Sequence, residues 1–481
     1  MIKFLKLLLM KLRRLNSPTI VEPVKWSVED FNKAKKWAQS RLHPSLKTNK
    51  KMKITKTLLL ILGLFTIVYS CSDTSKTIKP QEFPTDLGIS GFNFPEDSTK
   101  IYGWLENQDT TSIVNHAWGI WAGLTQPTKQ KYNGQTLLVF ETWMGVQELS
   151  AMSAQGQVSS SMEKSNRTEL NIPKQFVHGK LFAGQKIDTN FTVLETVSYD
   201  PSAAHFATSN KLFNQSSLNK YLVKDGIGAV PEFPNTSITT KPTYYAGVPS
   251  KNGLIRVPVW VSPNPAKAYR YNEWQQWVYA DVNNKQEPNK KLVPVTTSNP
   301  TEEQIKDATC NVNDFINYKI DRVGADYLNS HQDVGTTPSR QFIEGDYVLL
   351  VAMHVTTKEF KNWTWQTYFW CYAVSTAYAM VWPNQPVSGG SDNNARPILA
   401  FNPYLEGGFG PKVFSLQNKF RPDFVYGMQT NCMSCHALST MTGKNGYTTN
   451  QYIDMMDTSL FKNDVKLDFT WSIQGNLNSD K

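Results

Sequence analysis

The sequence predicts an α+β protein, with a β-rich, sandwich-like body followed by a small C-terminal region of short helices. Three observations predict it. From Leu137 to Ala373, runs rich in Val, Thr, Tyr and Trp recur between Gly, Pro and Asn loops, the pattern of half-buried strands. Two interior stretches, Thr111–Leu124 and Glu302–Arg322, read as helices. After a polar loop at Gly389–Asp392 the texture changes, and from Pro397 onward short helical pieces follow. The 481 residues are 40% apolar and 12% aromatic, which makes the chain globular and long enough for two or three domains.

The N-terminal part is read separately. Residues 1–51 hold 13 Lys/Arg and 3 Asp/Glu, which accounts for the whole net charge of +10. Charges in the remainder cancel, so no basic docking surface for nucleic acid is expected. Met52–Lys56 is a short basic segment and Leu58–Val68 an apolar one, together the pattern of an export signal. The signal ends in Val68-Tyr69-Ser70-Cys71. A small residue before a Cys resembles the bacterial lipobox, which implies cleavage before Cys71 and a lipid on that Cys. Translation from Met52 is therefore expected, with residues 1–51 an upstream extension; the alternative is a basic amphipathic membrane-surface helix at Met1–Leu15.

Within the exported part, Ser72–Asp86 is polar with two Pro and reads as a tether that runs on to about residue 100. Residues 101–396 form the body. Thr111–Leu124 places Ile113, Ala117, Ile120, Trp121 and Leu124 on one face, with Asp109 or Thr110 as cap. Strands are expected at Leu137–Trp143, Phe191–Tyr199, Leu254–Val261, Trp277–Val282, Tyr347–Val355 and Trp363–Ala373. Residues 397–481 form the C-terminal region.

That region holds Cys432-Met433-Ser434-Cys435-His436. Two Cys at i and i+3 can form thioethers to the two vinyl groups of one haem. A His directly after the second Cys then sits at the iron. Composition alone yields roughly 0.0006 such runs per chain. A zinc site would need a second ligand pair at finger spacing, and the chain has none. A thioredoxin-like pair would need a βαβ context. One covalent haem c is therefore expected, on Cys432, Cys435 and His436. Covalent haem attachment outside the cytoplasm agrees with the export signal.

The sixth ligand is open among several residues. Met455 and Met456 lie on an expected short helix, and Met441 follows too closely to leave the proximal side. His354 interrupts the apolar run Leu350–Val355, where an imidazole needs a partner. It is either a satisfied core residue or a distal haem residue; His116 is a weaker second candidate. Cys310 and Cys371 remain over and could form a disulfide in an oxidising compartment, or stay buried thiols.

Several stretches resemble a family of bacterial cytochrome-c-like exported lipoproteins. They are Ala117–Pro127, Phe140–Trp143, His354–Lys358, Trp363–Thr367, Asn402–Glu406, the C-x-x-C-H run and Leu467–Trp471. Family members tend to carry a second His shortly after the one matching His354, and this chain has Thr357 there. The resemblance implies haem binding and electron transfer. An electron carrier at the periplasmic face of a membrane, by expectation the outer one, would meet a redox partner protein or a small-molecule donor or acceptor. A bare carrier needs about 100 residues, so the large body also admits a haem-dependent oxidoreductase or a small-ligand sensor. The chain has no G-x-S-x-G elbow, P-loop, H-E-x-x-H or dinucleotide fingerprint.

Overall fold

The structure, a computed structural model, describes residues 78–107, 109–132, 134–159, 193–259, 276–287, 292–330, 340–370, 399–401, 406–407, 432–445 and 453–479. The expected extension, export signal, Cys71, Cys371 and the Gly389–Asp392 loop lie outside the described residues. No helix among the described residues is long and apolar enough to cross a membrane.

From residue 78 the chain packs, which departs from the tether expected over 72–100 in its described part; residues 72–77 lie outside the described residues. Ile78, Phe83 and Phe94 are buried. Gln81 donates its N–H to Thr142 Oγ1 at 2.8 Å and accepts from Trp143 Nε1 at 2.8 Å. The segment leads into α1 (Ser98–Glu106) and α2 (Thr110–Leu124). As expected, α2 is capped by Asp109, which accepts from Ser112 N at 3.0 Å. Such a cap contributes about 1 kcal/mol. The apolar stripe of α2 is buried throughout, from Ile113 to Leu124. Two glycines let the N-terminal segment cross this helix closely. A Cβ on Gly119 would lie 2.0 Å from the Phe92 ring, and one on Gly123 2.3 Å from the Phe83 ring. The polar composition of 72–86 concealed these few aromatic anchors.

After α2 come β1 (Pro127–Tyr132) and β2 (Gln135–Leu138), an antiparallel pair. The strand expected over Leu137–Trp143 stops there. A 3₁₀ turn at Phe140–Thr142 follows, because Glu141 Oε2 accepts from Leu138 N and Thr142 Oγ1 donates to Val139 O. These local side-chain bonds compete with a continued ladder. Next come β3 (Met144–Gly145), α3 (Val146–Ala154), β4 (Val193–Glu195) and β5 (Ser198–Tyr199). Then follow α4 (Pro201–Ser209), α5 (Gln215–Asn219), β6 (Ile227–Ala229) and β7 (Ile238–Gly247). Asp200 opens α4, ahead of Pro201 at the first helical position, and accepts from Ser202 N, Ala203 N and Ile238 N.

Strands β8 (Leu254–Val259) and β9 (Gln276–Asp281) form near their expected positions and pair antiparallel. The helix expected over Glu302–Arg322 is broken into α6 (Glu302–Asp307), β10 (Thr309–Asn311), β11 (Asn317–Lys319) and α7 (Arg322–Ser330). Thr301 and Gln304 form a capping box that starts α6. Thr309, Cys310 and Asn311 are then buried in a parallel pairing with β9. Asp314 Oδ2 takes the N–H of Asn311 and turns the chain. Thr, Asn and Asp hold helices weakly, so the tertiary pairing prevails.

The remaining elements are β12 (Tyr347–Thr357), β13 (Thr364–Trp370), β14 (Leu399–Phe401), β15 (Glu406–Gly407), α8 (Cys432–Ala437), α9 (Thr458–Phe461), β16 (Asp464–Lys466) and α10 (Trp471–Gln474). Among the described residues the main sheet has nine strands, with path β14-β13-β12-β7-β5-β3 and with β11, β15 and β4 paired alongside. It is antiparallel and strongly curled, and the chain is α+β. The expected separate C-terminal helical region is not seen as such. Strands β14 and β15 pair with β13, and β16 pairs in parallel with β6. Backbone pairing with the body thus holds segments whose own helices are only four to six residues long.

The sheet separates two apolar cores. On one face, Met353, Val355 and Tyr368 join α2 in the first core. Tyr368 donates its hydroxyl to Ala117 O at 2.6 Å and meets the Trp121 ring at 4.9 Å. On the other face, Trp365 belongs to a second core with Ala437, Leu438, Met441, Phe469 and Trp471. Gly123→Ala is expected to be destabilising, because overpacking against Phe83 costs about 1–3 kcal/mol and exceeds the helix propensity gained, about 1 kcal/mol. A thermal melt reads it as a Tm lowered by a few degrees; an unchanged or raised Tm would refute the close packing.

Candidate functional site

The C-x-x-C-H run forms α8, a helix of six residues. It is too short to persist alone, so its neighbours hold it. Trp471 donates its indole N–H to Cys435 O at 2.9 Å. The Trp365 ring lies 4.3 Å from the His436 ring, centroid to centroid. His436 Nδ1 is 2.7 Å from Phe469 O. A carbonyl only accepts, so Nδ1 carries a proton, and in the neutral ring Nε2 keeps the lone pair. Metal-ligating histidines are commonly oriented in this way.

The accepting carbonyl sits on an unusual backbone. Asp468 and Phe469 both have positive φ, 45° and 68°. Two consecutive non-glycine residues in that region cost on the order of 1–3 kcal/mol each. Charge and hydrogen bonds hold them. Asp468 Oδ1 lies 2.7 Å from Lys358 Nζ, with both side chains no more than 6% exposed. Asp468 Oδ2 accepts from Phe233 N at 2.9 Å. Burial pushes the Asp468 carboxyl upward, and Lys358 and the Phe233 N–H oppose the shift. Lys358 also donates to Lys361 O and faces the Trp363 ring at 5.5 Å.

Cys435 is largely buried, which pushes its thiol up to about 12; the charge of Lys241 and a bond with Trp471 act the other way. A thiolate is therefore disfavoured there, whereas an uncharged thioether loses nothing by burial. The His436 tautomer and the buried Cys435 sulfur both fit a covalently attached haem. Cys432 shares α8. Among the described residues no group of three or more His, Cys, Asp or Glu is placed to hold a metal ion.

The other expected residues fall as follows. His354 is not a core residue. Strand alternation buries Met353 and Val355 on the first-core side and leaves His354 exposed on the other. Its cross-strand partners are Lys241 and Thr367. Thus His354 shares the sheet face of Trp365, whose partner is Thr356. His116 lies on the first-core side, with Nε2 3.1 Å from the Glu359 carboxylate and its ring between Phe92 and Trp104. Met455 and Met456 lie in a turn, not on the expected helix, because Asp457 caps α9 only after them. Met455 packs partly buried on the second core and Met456 is exposed. Cys310 is buried with Sγ 3.5 Å from Tyr279 O; its expected partner Cys371 lies outside the described residues.

Sequence reasoning did not assign roles to Lys358, Asp468, Phe469, Trp365, Lys241 or Glu195. All but Lys241 and Glu195 fall in the segments His354–Lys358, Trp363–Thr367 and Leu467–Trp471 that carry the family resemblance. Their signal was charged and aromatic residues close together in short segments.

Lys358→Met is expected to destabilise by about 3–5 kcal/mol, because it leaves Asp468 buried without its partner. Adding Asp468→Asn should recover much of that loss. Chemical denaturation of the single and double variants checks it; additive losses would show that the two side chains do not act as a pair.

The chain matches no protein-family model, no curated protein and no solved structure.

Proposed function

We propose that this chain is an exported c-type cytochrome, lipid-anchored at Cys71. It carries one haem on Cys432, Cys435 and His436, and passes electrons at the periplasmic face of a membrane, the outer one by our reading. The observation that carries this reading is the His436 imidazole within C-x-x-C-H, with its proton held on Nδ1 by Phe469 O at 2.7 Å. A bound haem supplies one-electron chemistry at its iron, at a potential set by axial ligands and burial. The two Cys would hold it covalently, His436 would present Nε2, and Trp365 would pack against the imidazole. Electrons come from or go to a redox partner protein or a small-molecule donor or acceptor. The first core draws on both the nine-stranded sheet and the smaller β8–β10 sheet, which supports the sandwich-like body we propose.

A second reading is a haem-dependent oxidoreductase or small-ligand sensor. One observation favours it. Lys241, Glu195 and His354 place polar chemistry on the sheet face that also carries Trp365.

Two outcomes are expected. The Cys432→Ala, Cys435→Ala double variant should lose the haem that survives denaturing electrophoresis, read by haem stain; persistent stain would overturn the assignment. Cys71→Ser should move the protein from the membrane to the soluble fraction, and unchanged fractionation would remove the anchor.

A further inference from the structure

The register of the main sheet sets one row of side chains beside α8. His354 faces Lys241 across the β12–β7 ladder, and Glu195 faces Thr243 across β4–β7. Because side chains alternate along a strand, Lys241 and Thr243 share a face. Lys241 Nζ lies 2.9 Å from Glu195 Oε2, and Thr243 Oγ1 donates to Glu195 Oε1 at 3.1 Å. This ion pair fixes the lysine at the centre of the row.

One contact ties this row to the C-x-x-C-H helix. Trp365 touches the His436 ring and is the diagonal neighbour of His354, a relation that separates Cα atoms by about 7–8 Å. The row and His436 therefore both lie beside Trp365. On this sheet face His354 carries the imidazole, while Lys241 is held by Glu195.

Resting on the haem reading above, we infer that His354 is the sixth-position residue, a nitrogen ligand supplied by the body opposite His436, with the Lys241–Glu195 pair positioning its strand face. The site is then a closed, two-histidine electron-transfer centre, and the sheet that looked like excess bulk for a carrier provides half of its coordination. A nitrogen ligand in place of methionine holds the potential lower.

The test uses the full-length haem-loaded protein from membranes. Wild type is expected to give a low-spin ferric spectrum and to bind carbon monoxide slowly in the ferrous state. His354→Ala should turn the ferric spectrum high-spin and speed carbon monoxide binding at least tenfold, with haem stain unchanged. Millimolar imidazole should restore the low-spin spectrum to the variant. His354 is exposed, so the substitution removes little packing, and a melt monitors folding. A low-spin spectrum that persists in His354→Ala would overturn the assignment and point to another ligand, Met455 first. A high-spin wild type would overturn it too, in favour of an open ligand-binding position. Neither result touches covalent attachment, which the haem stain reads separately.

Discussion

A buried ion pair, Lys358 with Asp468, joins two parts of the chain that lie 110 residues apart. Taking two charges out of water costs several kcal/mol per ion, and close pairing with additional hydrogen bonds offsets it. Here the extra partners are the Phe233 N–H and the Lys361 carbonyl. Together with the Phe233 N–H, this pair holds Asp468 and the turn that carries Phe469 at positive φ. That turn aims the Phe469 carbonyl at His436.

The turn between β12 and β13 serves both faces of the sheet. Lys358 reaches the second core, while the adjacent Glu359 reaches the first, where it meets His116, the Glu96 N–H and Thr357. A single turn thus places one buried carboxylate under α2 and one buried ammonium behind the C-x-x-C-H helix. The interaction network around the site is therefore continuous with that around α2, although the two cores share few side chains.

The parts written in local pattern were legible. Helix α2 follows its apolar stripe and its Asp109 cap, and β12 and β13 follow their β-branched and aromatic runs. Where local pattern and tertiary demand differ, tertiary demand prevails. Glu302–Arg322 has helical spacing, yet Thr309–Asn311 gains more by pairing with β9. His354 shows a related failure. The run Leu350–Val355 reads as wholly buried, but one face of β12 beyond Ala352 is open, and period-two alternation puts the imidazole there. The N-terminal segment was misread because a few rings, Phe83, Phe92 and Phe94, outweigh a polar composition.

By itself the sequence supplied the C-x-x-C-H run on which the haem proposal rests, because that spacing is written in adjacent residues. It also determined α2, β12 and β13, whose apolar stripe and β-branched or aromatic runs match the elements they form. Only the tertiary structure decided what surrounds that motif: the Phe469 carbonyl on His436, the indoles of Trp365 and Trp471, and the row of Glu195, Lys241 and His354. These contacts join residues tens to hundreds of positions apart. Their existence depends on strand register and on a buried charge pair, and neither leaves a periodic trace along the chain.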